Sequence, residues 1–273
     1  MGGFLESTAR EVLEFTTEAV FSEKYARRDG LLQKADPRVK LLSLLLLVAV
    51  VVSLDSLPLV IFFYMVPLIF ALLSHIRVLD FVKRVWFFIP IFTGLISIPS
   101  IFMIPGKTVF SLPLVGWSAS WEGLIWATIF TLRVAAAVSY AVLFTMTTRW
   151  NDLVSALASL RVPGTVITIT TLAYRYIFLL AKLLLDSMHA RRSRLAGNLG
   201  LVEGWKEAGK HIGATFIKAN SLGEEVYYAM LARGYSNEYI NSGGLRIKKT
   251  DYVLVAFTLI LLAFAVVTRE VLG

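Results

Sequence analysis

The chain has 273 residues and a net charge of +8; 57% of its residues are hydrophobic, only 17% are charged, and its mean hydropathy is +0.71. Soluble domains are about 45–50% apolar and about 25% charged, so this composition excludes a soluble globule and indicates a membrane protein. The absence of cysteine excludes disulfides, thiol catalysis and thiolate metal sites, and the three widely separated histidines argue against a metal site in this chain.

The first segment, residues 1–40, is predicted to be cytoplasmic and amphipathic. Its leader contains glutamates and lacks the short apolar core of a signal peptide, so the first transmembrane segment is expected to direct insertion. The apolar residues of the leader fit one face of an interfacial helix, and a partly ordered tail is the alternative. These apolar residues are Leu5, Val12, Leu13 and Val20.

Four transmembrane helices are predicted in residues 41–149, because a bilayer core requires about 20 apolar residues per helix. The first apolar run, 41–73, is interrupted between Asp55 and Pro58, which predicts a helical hairpin with a tight turn. A fifth span is predicted in the C-terminal segment, 250–273. The predicted spans are the two arms of the hairpin at 41–73, then 85–103, 123–146 and 252–267.

Residues 150–249 are predicted to form a cytoplasmic domain of long helices. The pattern at 166–185 is apolar enough for a span, but polar residues recur along one face, which a helix surrounded by lipid does not carry. With this segment inside, all but three of the 27 Lys and Arg residues lie on the cytoplasmic side, as the positive-inside rule favours. A six-span topology in which 166–185 crosses the membrane stays open. The polar face consists of Thr168, Thr171, Arg175, Lys182 and Asp186.

A second cytoplasmic helix is predicted at about 204–233. Three glycines lower its helix propensity by about 1 kcal/mol each, and we interpret them as sites of close helix packing. The predicted fold is therefore an all-α membrane protein with about five transmembrane helices and long cytoplasmic or interfacial amphipathic helices. The three glycines are Gly209, Gly213 and Gly223, and the apolar stripe of this helix is Ile212, Phe216, Ala219, Val226 and Met230.

Motifs of catalysis are missing from the sequence. It contains no G-x-x-x-x-G-K-S/T loop, no H-E-x-x-H, no G-x-S-x-G and no G-x-G-x-x-G arrangement. No pair of carboxylates lies inside a predicted span, which disfavours a proton relay or an intramembrane aspartyl protease. We therefore expect a chain without catalytic machinery of its own.

Two short arginine segments lie near the ends of the two predicted cytoplasmic helices. A small residue allows close approach of another surface, and arginine offers a planar fork of donors to a carboxylate. The glycine of the second segment is expected to end its helix in a left-handed cap. The alternative is that these arginines are ordinary topogenic charges. The segments are Ala190, Arg191 and Arg192, then Ala232, Arg233 and Gly234.

The order of several motifs resembles the transmembrane T components of energy-coupling factor (ECF) transporters, the EcfT/CbiQ family. The opening Asp36-Pro37-Arg38 motif, the stretch ending in Leu160-Arg161-Val162-Pro163 and the sequence from Ala229 to Tyr235 carry this resemblance over nearly the whole chain. The first arginine signature departs from the family pattern because it reads Ala-Arg-Arg. The stretch from Gly30 to Arg38 most resembles the cobalt-type CbiQ branch.

The resemblance implies that this chain is a coupling subunit. It would be a multi-pass protein of the prokaryotic inner membrane with a cytoplasmic N-terminus. Two cytoplasmic ABC ATPases would bind ATP and Mg, so no cofactor is expected in this chain, and the arginine segments would dock on the ATPases. A separate substrate-binding S component, CbiM-like and with a CbiN-like small subunit, would select cobalt or nickel; no nucleic acid is expected. The residues expected to have structural or interface roles are Asp36, Pro37, Arg38, Arg133, Pro163 and Arg175.

Arg133 is predicted to lie inside the fourth span, where an exposed charge costs at least about 2.5–3.5 kcal/mol. We interpret it as a polar contact that fixes helix packing or a partner interface, and the alternative is a shifted span whose guanidinium reaches the membrane surface. Three other functions stay open for the whole chain: a vitamin-type T component, a stand-alone secondary transporter and an intramembrane enzyme.

Overall fold

A computed structural model describes residues 25–26, 28, 30–87, 89–112, 117–194, 201–236 and 248–272; the predicted interfacial helix of the leader lies outside these ranges. The described residues form nine α-helices and one two-stranded hairpin. The elements are α1 (Pro37–Val52), α2 (Leu57–Leu73), α3 (Val78–Trp86), α4 (Ile89–Met103), β1 (Thr108–Leu112), β2 (Trp117–Ser120), α5 (Trp121–Thr147), α6 (Trp150–Ser159), α7 (Gly164–Arg192), α8 (Leu201–Ala232) and α9 (Lys249–Leu272).

The predicted all-α membrane fold is confirmed, with the antiparallel β1–β2 hairpin as an addition that the sequence analysis did not predict. By length and composition, three of the described helices can each cross a membrane: Trp121–Thr147, Gly164–Arg191 and Lys249–Thr268. The pair Val78–Trp86 and Pro90–Met103, bent by 45°, makes a fourth if it crosses as one span.

The predicted hairpin between residues 41 and 73 is present, with its break before Leu57. Its two helices have 16 and 17 residues and are therefore about 24–26 Å long, shorter than a hydrocarbon core of about 30 Å. Each helix has a proline in its first turn, where the missing N–H costs no hydrogen bond. The hairpin is consequently a short element beside the 27-residue α5.

The predicted span at 85–103 is wrong at its start, because Val85 belongs to the separate helix α3. On α3, Phe81 and Val85 are buried while Lys83 and Arg84 are exposed, so the helix is amphipathic rather than apolar all round. Pro90, at the second position of α4, favours a helix start there and disfavours a continuous helix through the preceding residues.

The described helices divide into two compact units. One contains α7 and α8, and the other contains α1–α5 and α9, which we call the membrane unit; α6 spans the boundary between them. The predicted helices at 166–185 and 204–233 correspond to α7 and α8. Because α7 meets the criteria for a span, its cytoplasmic location stays a prediction. The predicted division of the chain into residues 1–40, 41–149, 150–249 and 250–273 also stays a prediction.

The membrane unit is organised around α5, which packs against α1, α2 and α4. Phe63 and Ala136 are fully buried in its core, and the hydroxyl of Tyr140 donates to the carbonyl oxygen of Phe63 at 3.0 Å. Gly123 permits the close approach of α4, because a Cβ at this position would lie 2.8 Å from the Cα of Ile101. These contacts fix α5 as the scaffold that positions the ends of its neighbours.

Candidate functional site

The C-terminal end of α8 carries the second predicted arginine segment. Gly234 has a φ of +80°, so the predicted left-handed cap is confirmed. Its N–H donates to the carbonyl of Leu231 at 2.9 Å, and the N–H of Tyr235 donates to the carbonyl of Met230 at 3.0 Å. These two bonds satisfy carbonyls that a helix end otherwise leaves open, and they fix the backbone around Arg233.

Arg233 is exposed at this capped end, next to the equally exposed Ala232. It forms no ion pair with any residue in the described part of the chain. A cation in this position complements the negative end of the helix dipole, and its guanidinium retains its donors for a carboxylate of another molecule. This end of α8 can therefore bind an acidic surface without first breaking a described contact.

Arg191, near the end of α7, has a different environment. Its Nε lies 3.2 Å from Oε2 of Glu207 on α8, and Nζ of Lys210 donates to the other oxygen of that carboxylate at 2.7 Å. The hydrogen bond from Lys210, together with the charge of Arg191, lowers the pKa of Glu207. Ala190 is exposed, and the side chain of Arg192 lies outside the described part of the structure. Arg191 is thus paired with α8, although its side chain is 40% exposed.

The helix pair is antiparallel, and its two arginine ends lie far apart. Ser187 Oγ lies 2.6 Å from Nδ1 of His211, one turn along from the contact between Arg191 and Glu207. Arg233 follows Glu207 by 26 residues, which corresponds to about 39 Å at 1.5 Å per residue. The two arginines therefore occupy opposite ends of one α7–α8 pair.

An apolar groove of about 490 Å³ runs between α7 and α8. Three residues of the predicted apolar stripe of α8, Ala219, Val226 and Met230, line this groove. Ile212 and Phe216, assigned to the same stripe, are 59% and 73% exposed, so the stripe is divided between the groove and an open surface. Among the described residues, the stripe lines this groove through its C-terminal part.

The three glycines of α8 make no close helix crossing among the described residues. Apart from the adjacent residues and the backbone of α8 itself, no atom of the described residues lies within 4 Å of the position that a Cβ would take at Gly209, Gly213 or Gly223. The propensity cost of these glycines is therefore not offset by a close helix crossing among the described residues.

The Asp-Pro-Arg motif forms the start of α1. Asp36 is the N-cap residue: its Oδ1 accepts a hydrogen bond from the N–H of Arg38 at 2.9 Å, and Pro37 occupies the first turn. The N–H of Asp36 donates to Oδ1 of Asp251, in the first turn of α9, at 2.7 Å. Sequence analysis did not identify Asp251 because it lies 215 residues from Asp36. The feature that could have pointed to it is its position as an acidic residue at the start of a predicted span.

Arg133 joins α5 to the turn between α1 and α2. One of its guanidinium nitrogens donates to the carbonyl of Leu54 and lies 3.0 Å from Oδ1 of Asp55. This contact agrees with the interpretation of Arg133 as a packing contact, because it ties the middle of one helix to the end of a hairpin.

Two further residues predicted to have structural or interface roles also lie on the helix pair. Pro163 is the N-cap residue of α7, and Arg175 is exposed with its guanidinium carbon 5.9 Å from the ring centre of Tyr176. Pro163 lies at the end of the pair that carries Arg233, because Thr165 and Tyr235 line the same groove, whereas Arg175 lies farther along α7. Within the described ranges, no group of three or more His, Asp or Glu side chains is arranged to hold a metal ion.

Comparison with known proteins assigns the family. The sequence model of the CbiQ family, described as "Cobalt transport protein", matches residues 30–242. The uncharacterized protein MJ1571 of Methanocaldococcus jannaschii is 49% identical over 267 residues, which cover 96% of this chain and 90% of that protein. The nickel permease LarQ of Lactiplantibacillus plantarum is 28% identical over 127 residues, 46% of each chain. With the EcfT/CbiQ motifs in their expected order and apolar helices long enough to span a membrane, the chain belongs to the CbiQ family of cobalt transport proteins.

Proposed function

We propose that this chain is the membrane coupling subunit of an ECF-type importer for cobalt or nickel. Two cytoplasmic ATPases would hydrolyse ATP, and a separate membrane subunit would capture the metal. The family assignment supports a transport component, and the name of the LarQ relative supports nickel beside cobalt as cargo. In this proposal the chain is a multi-pass protein of the inner membrane with a cytoplasmic N-terminus, and its own role is mechanical.

The observation that carries the proposal is the placement of Arg191 and Arg233 at opposite ends of the α7–α8 pair. Their separation of about 39 Å along the helix pair suits contact with two separate subunits rather than one shared pocket. A pair of ATPases with acidic grooves would each receive one arginine end, and closure of the pair on ATP would pull both ends together. Because α7 and α8 are long helices, movement at their ends would displace the surface between them.

The apolar groove between α7 and α8 supports the second half of the proposal. Its lining is almost entirely apolar, and Ile212 and Phe216 extend an apolar surface beyond it. Such a surface suits a membrane partner that slides or tilts on the helices, because apolar contacts have little directional preference. We assign this contact to the metal-capturing subunit.

The test is recovery of the ATPases with the tagged chain. The chain is co-expressed with the two proposed ATPase subunits, solubilised in mild detergent and captured, and the amount of ATPase per captured chain is measured. The double variant Arg191→Ala/Arg233→Ala should lose most of the ATPase because both docking cations are removed. The yield of the variant in membranes should stay normal, since Arg233 is exposed and the side chain of Arg191 is 40% exposed, so neither substitution opens a cavity in a core.

A matched control is Lys218→Ala, which removes an exposed cation from the middle of α8. It should recover ATPase at the wild-type level because it lies at neither end of the helix pair. Normal recovery with the double variant would contradict docking through these arginines. Failure of the wild-type chain to recover any ATPase would contradict the proposed function itself.

A further inference from the structure

A buried cluster of charged and polar groups joins three helices of the membrane unit. It consists of residues at the start of α1, the end of α5 and the start of α9. The four participants are between 1% and 6% exposed, so they are shielded from water although three of them are ionisable. The cluster is Asp36, Lys40, Thr147 and Asp251.

Asp251 fixes two helix starts with one carboxylate. Its Oδ1 accepts the hydrogen bond from the N–H of Asp36 at 2.7 Å, and its Oδ2 accepts one from the N–H of Lys248 at 2.6 Å. Both donors precede the first turn of a helix, where N–H groups lack partners within the helix. Hydrogen bonds to an ionised acceptor are about twice as strong as neutral ones, and a negative charge also suits a helix N-terminus.

Lys40 connects this pair to α5. Its Nζ donates to the carbonyl oxygen of Thr147, the last residue of α5, at 3.0 Å. A buried ammonium requires compensation, which the negative end of the α5 dipole and the nearby carboxylates of Asp152, Asp251 and Asp36 supply. The three helix ends are thereby held together by the bonds of Asp251 and Lys40.

The cluster lies close to the points where the chain leaves the membrane unit and returns to it. The chain leaves the membrane unit after Leu153, six residues beyond Thr147, and the return segment from the other unit reaches Lys248 and Asp251. Both covalent connections to the α7–α8 unit therefore end at helices that this one cluster holds together.

We propose that Asp251, acting with Lys40, is a positioning residue for coupling: it holds the ends of α1, α5 and α9 as one rigid anchor. Against this anchor, movement of the α7–α8 unit does mechanical work on the membrane helices. This inference rests on the proposed function and deepens it. Asp251 binds neither ATP nor metal in this role. If the anchor is loosened, the helix ends move separately, and ATP hydrolysis continues without delivering metal.

The test uses the complete transporter, with its ATPases and metal-capturing subunit, reconstituted into proteoliposomes. ATP hydrolysis and uptake of radioactive cobalt are measured on the same vesicles, and their ratio is compared between variants. Asp251→Asn keeps the size of the side chain but removes its charge and one acceptor. We expect this variant to assemble and hydrolyse ATP near the wild-type rate, while cobalt taken up per ATP falls at least about fivefold.

The matched control is Thr258→Val, a buried polar position on α9 whose hydroxyl, among the described residues, bonds to its own helix at the carbonyl of Leu254. Its uptake per ATP should stay at the wild-type value. If Asp251→Asn does not assemble, Lys40→Met makes the same test, because it keeps the apolar stem and removes the contact with Thr147.

An unchanged ratio of uptake to ATP in the assembled variant overturns the inference. Proportional loss of both activities with the amount of assembled complex also overturns it, because a purely structural role predicts that result. Either outcome, with normal ATP-driven uptake by the wild type, leaves the proposed function standing. Absence of ATP-driven uptake by the wild-type transporter contradicts the proposed function instead.

Discussion

Arg133 lies in the middle of α5, where a membrane environment makes an uncompensated charge costly. Two acceptors meet its guanidinium at the α1–α2 turn: the carbonyl of Leu54 and the carboxylate of Asp55, whose side chain is 85% exposed. An exposed ion pair contributes little to stability, whereas a hydrogen bond from a charged donor contributes about 1.5–3 kcal/mol. The carbonyl contact should therefore dominate.

We expect Arg133→Met to lower the free energy of unfolding by about 1.5–3 kcal/mol and Asp55→Asn by less than about 1 kcal/mol. The difference arises because Asp55→Asn leaves the bond to the carbonyl of Leu54 in place. Unfolding of the purified protein in mixed micelles, followed while a denaturing detergent is added, measures both values. Equal losses would show that the ion pair, rather than the carbonyl contact, holds the turn.

Arg191 and Arg233 have similar sequence surroundings but different contacts in the structure. Arg191 must leave Glu207 before it binds a partner, while Arg233 is free among the described residues. We expect Arg233→Ala to weaken ATPase binding at least about tenfold, which corresponds to about 1.4 kcal/mol, and Arg191→Ala to weaken it less. Titration of labelled ATPase against the detergent-solubilised chain gives both dissociation constants. A larger effect of Arg191→Ala would contradict this order.

Local features at the residue scale could be predicted, and distant partners could not. The left-handed cap at Gly234 follows from the neighbouring residues alone, because only the helix end and its next residues form it. Glu207 and Asp251 contact residues on other helices, and nothing in the spacing of the sequence specifies those pairs. Identifying them required the packing of the helices.

At the scale of elements, α7 carries two conflicting signals. Its length and hydropathy meet the criteria for a span, while the distribution of Lys and Arg favours a cytoplasmic location for both of its ends. Its polar face also favours a cytoplasmic location, since Arg175, Lys182 and Asp186 are exposed along it. We therefore expect the residues before and after α7 to lie on one side of the membrane.

Cysteine labelling tests this topology cleanly because the chain has no cysteine of its own. Arg161→Cys and Arg194→Cys flank α7, and Lys107→Cys precedes the β1–β2 hairpin; all three positions are exposed. In right-side-out vesicles a membrane-impermeant maleimide should label only position 107, and permeabilisation should expose positions 161 and 194 together. Labelling of position 194 in intact vesicles would show that α7 crosses the membrane.

The break between α3 and α4 shows why some element boundaries escape sequence analysis. The apolar run from Val85 to Met103 reads as one span by hydropathy alone. The structure places Val85 in an amphipathic helix with Lys83 and Arg84 on its exposed side, and a new helix starts just before Pro90. Burial of one helix face against the unit, together with proline stereochemistry, decides this boundary.

At the scale of the whole molecule, composition and charge distribution were sufficient to predict an all-α membrane protein, and the order of motifs was sufficient to suggest its family. Composition works here because the bilayer restricts which structures can span it. The anchor of Asp36, Lys40 and Asp251 could not be predicted in the same way, since it joins residues up to 215 positions apart. Such a contact depends on how the helices pack rather than on any local pattern.

The central claim is that the chain couples ATP hydrolysis in partner ATPases to metal uptake and transports nothing alone. Radioactive cobalt uptake into proteoliposomes tests it most directly, with vesicles that contain the chain alone or the chain with its ATPases and metal-capturing subunit. We predict ATP-dependent uptake by the complete assembly, and no uptake by the chain alone under an imposed ion gradient or membrane potential. Gradient-driven uptake by the chain alone would contradict the account and identify a secondary transporter.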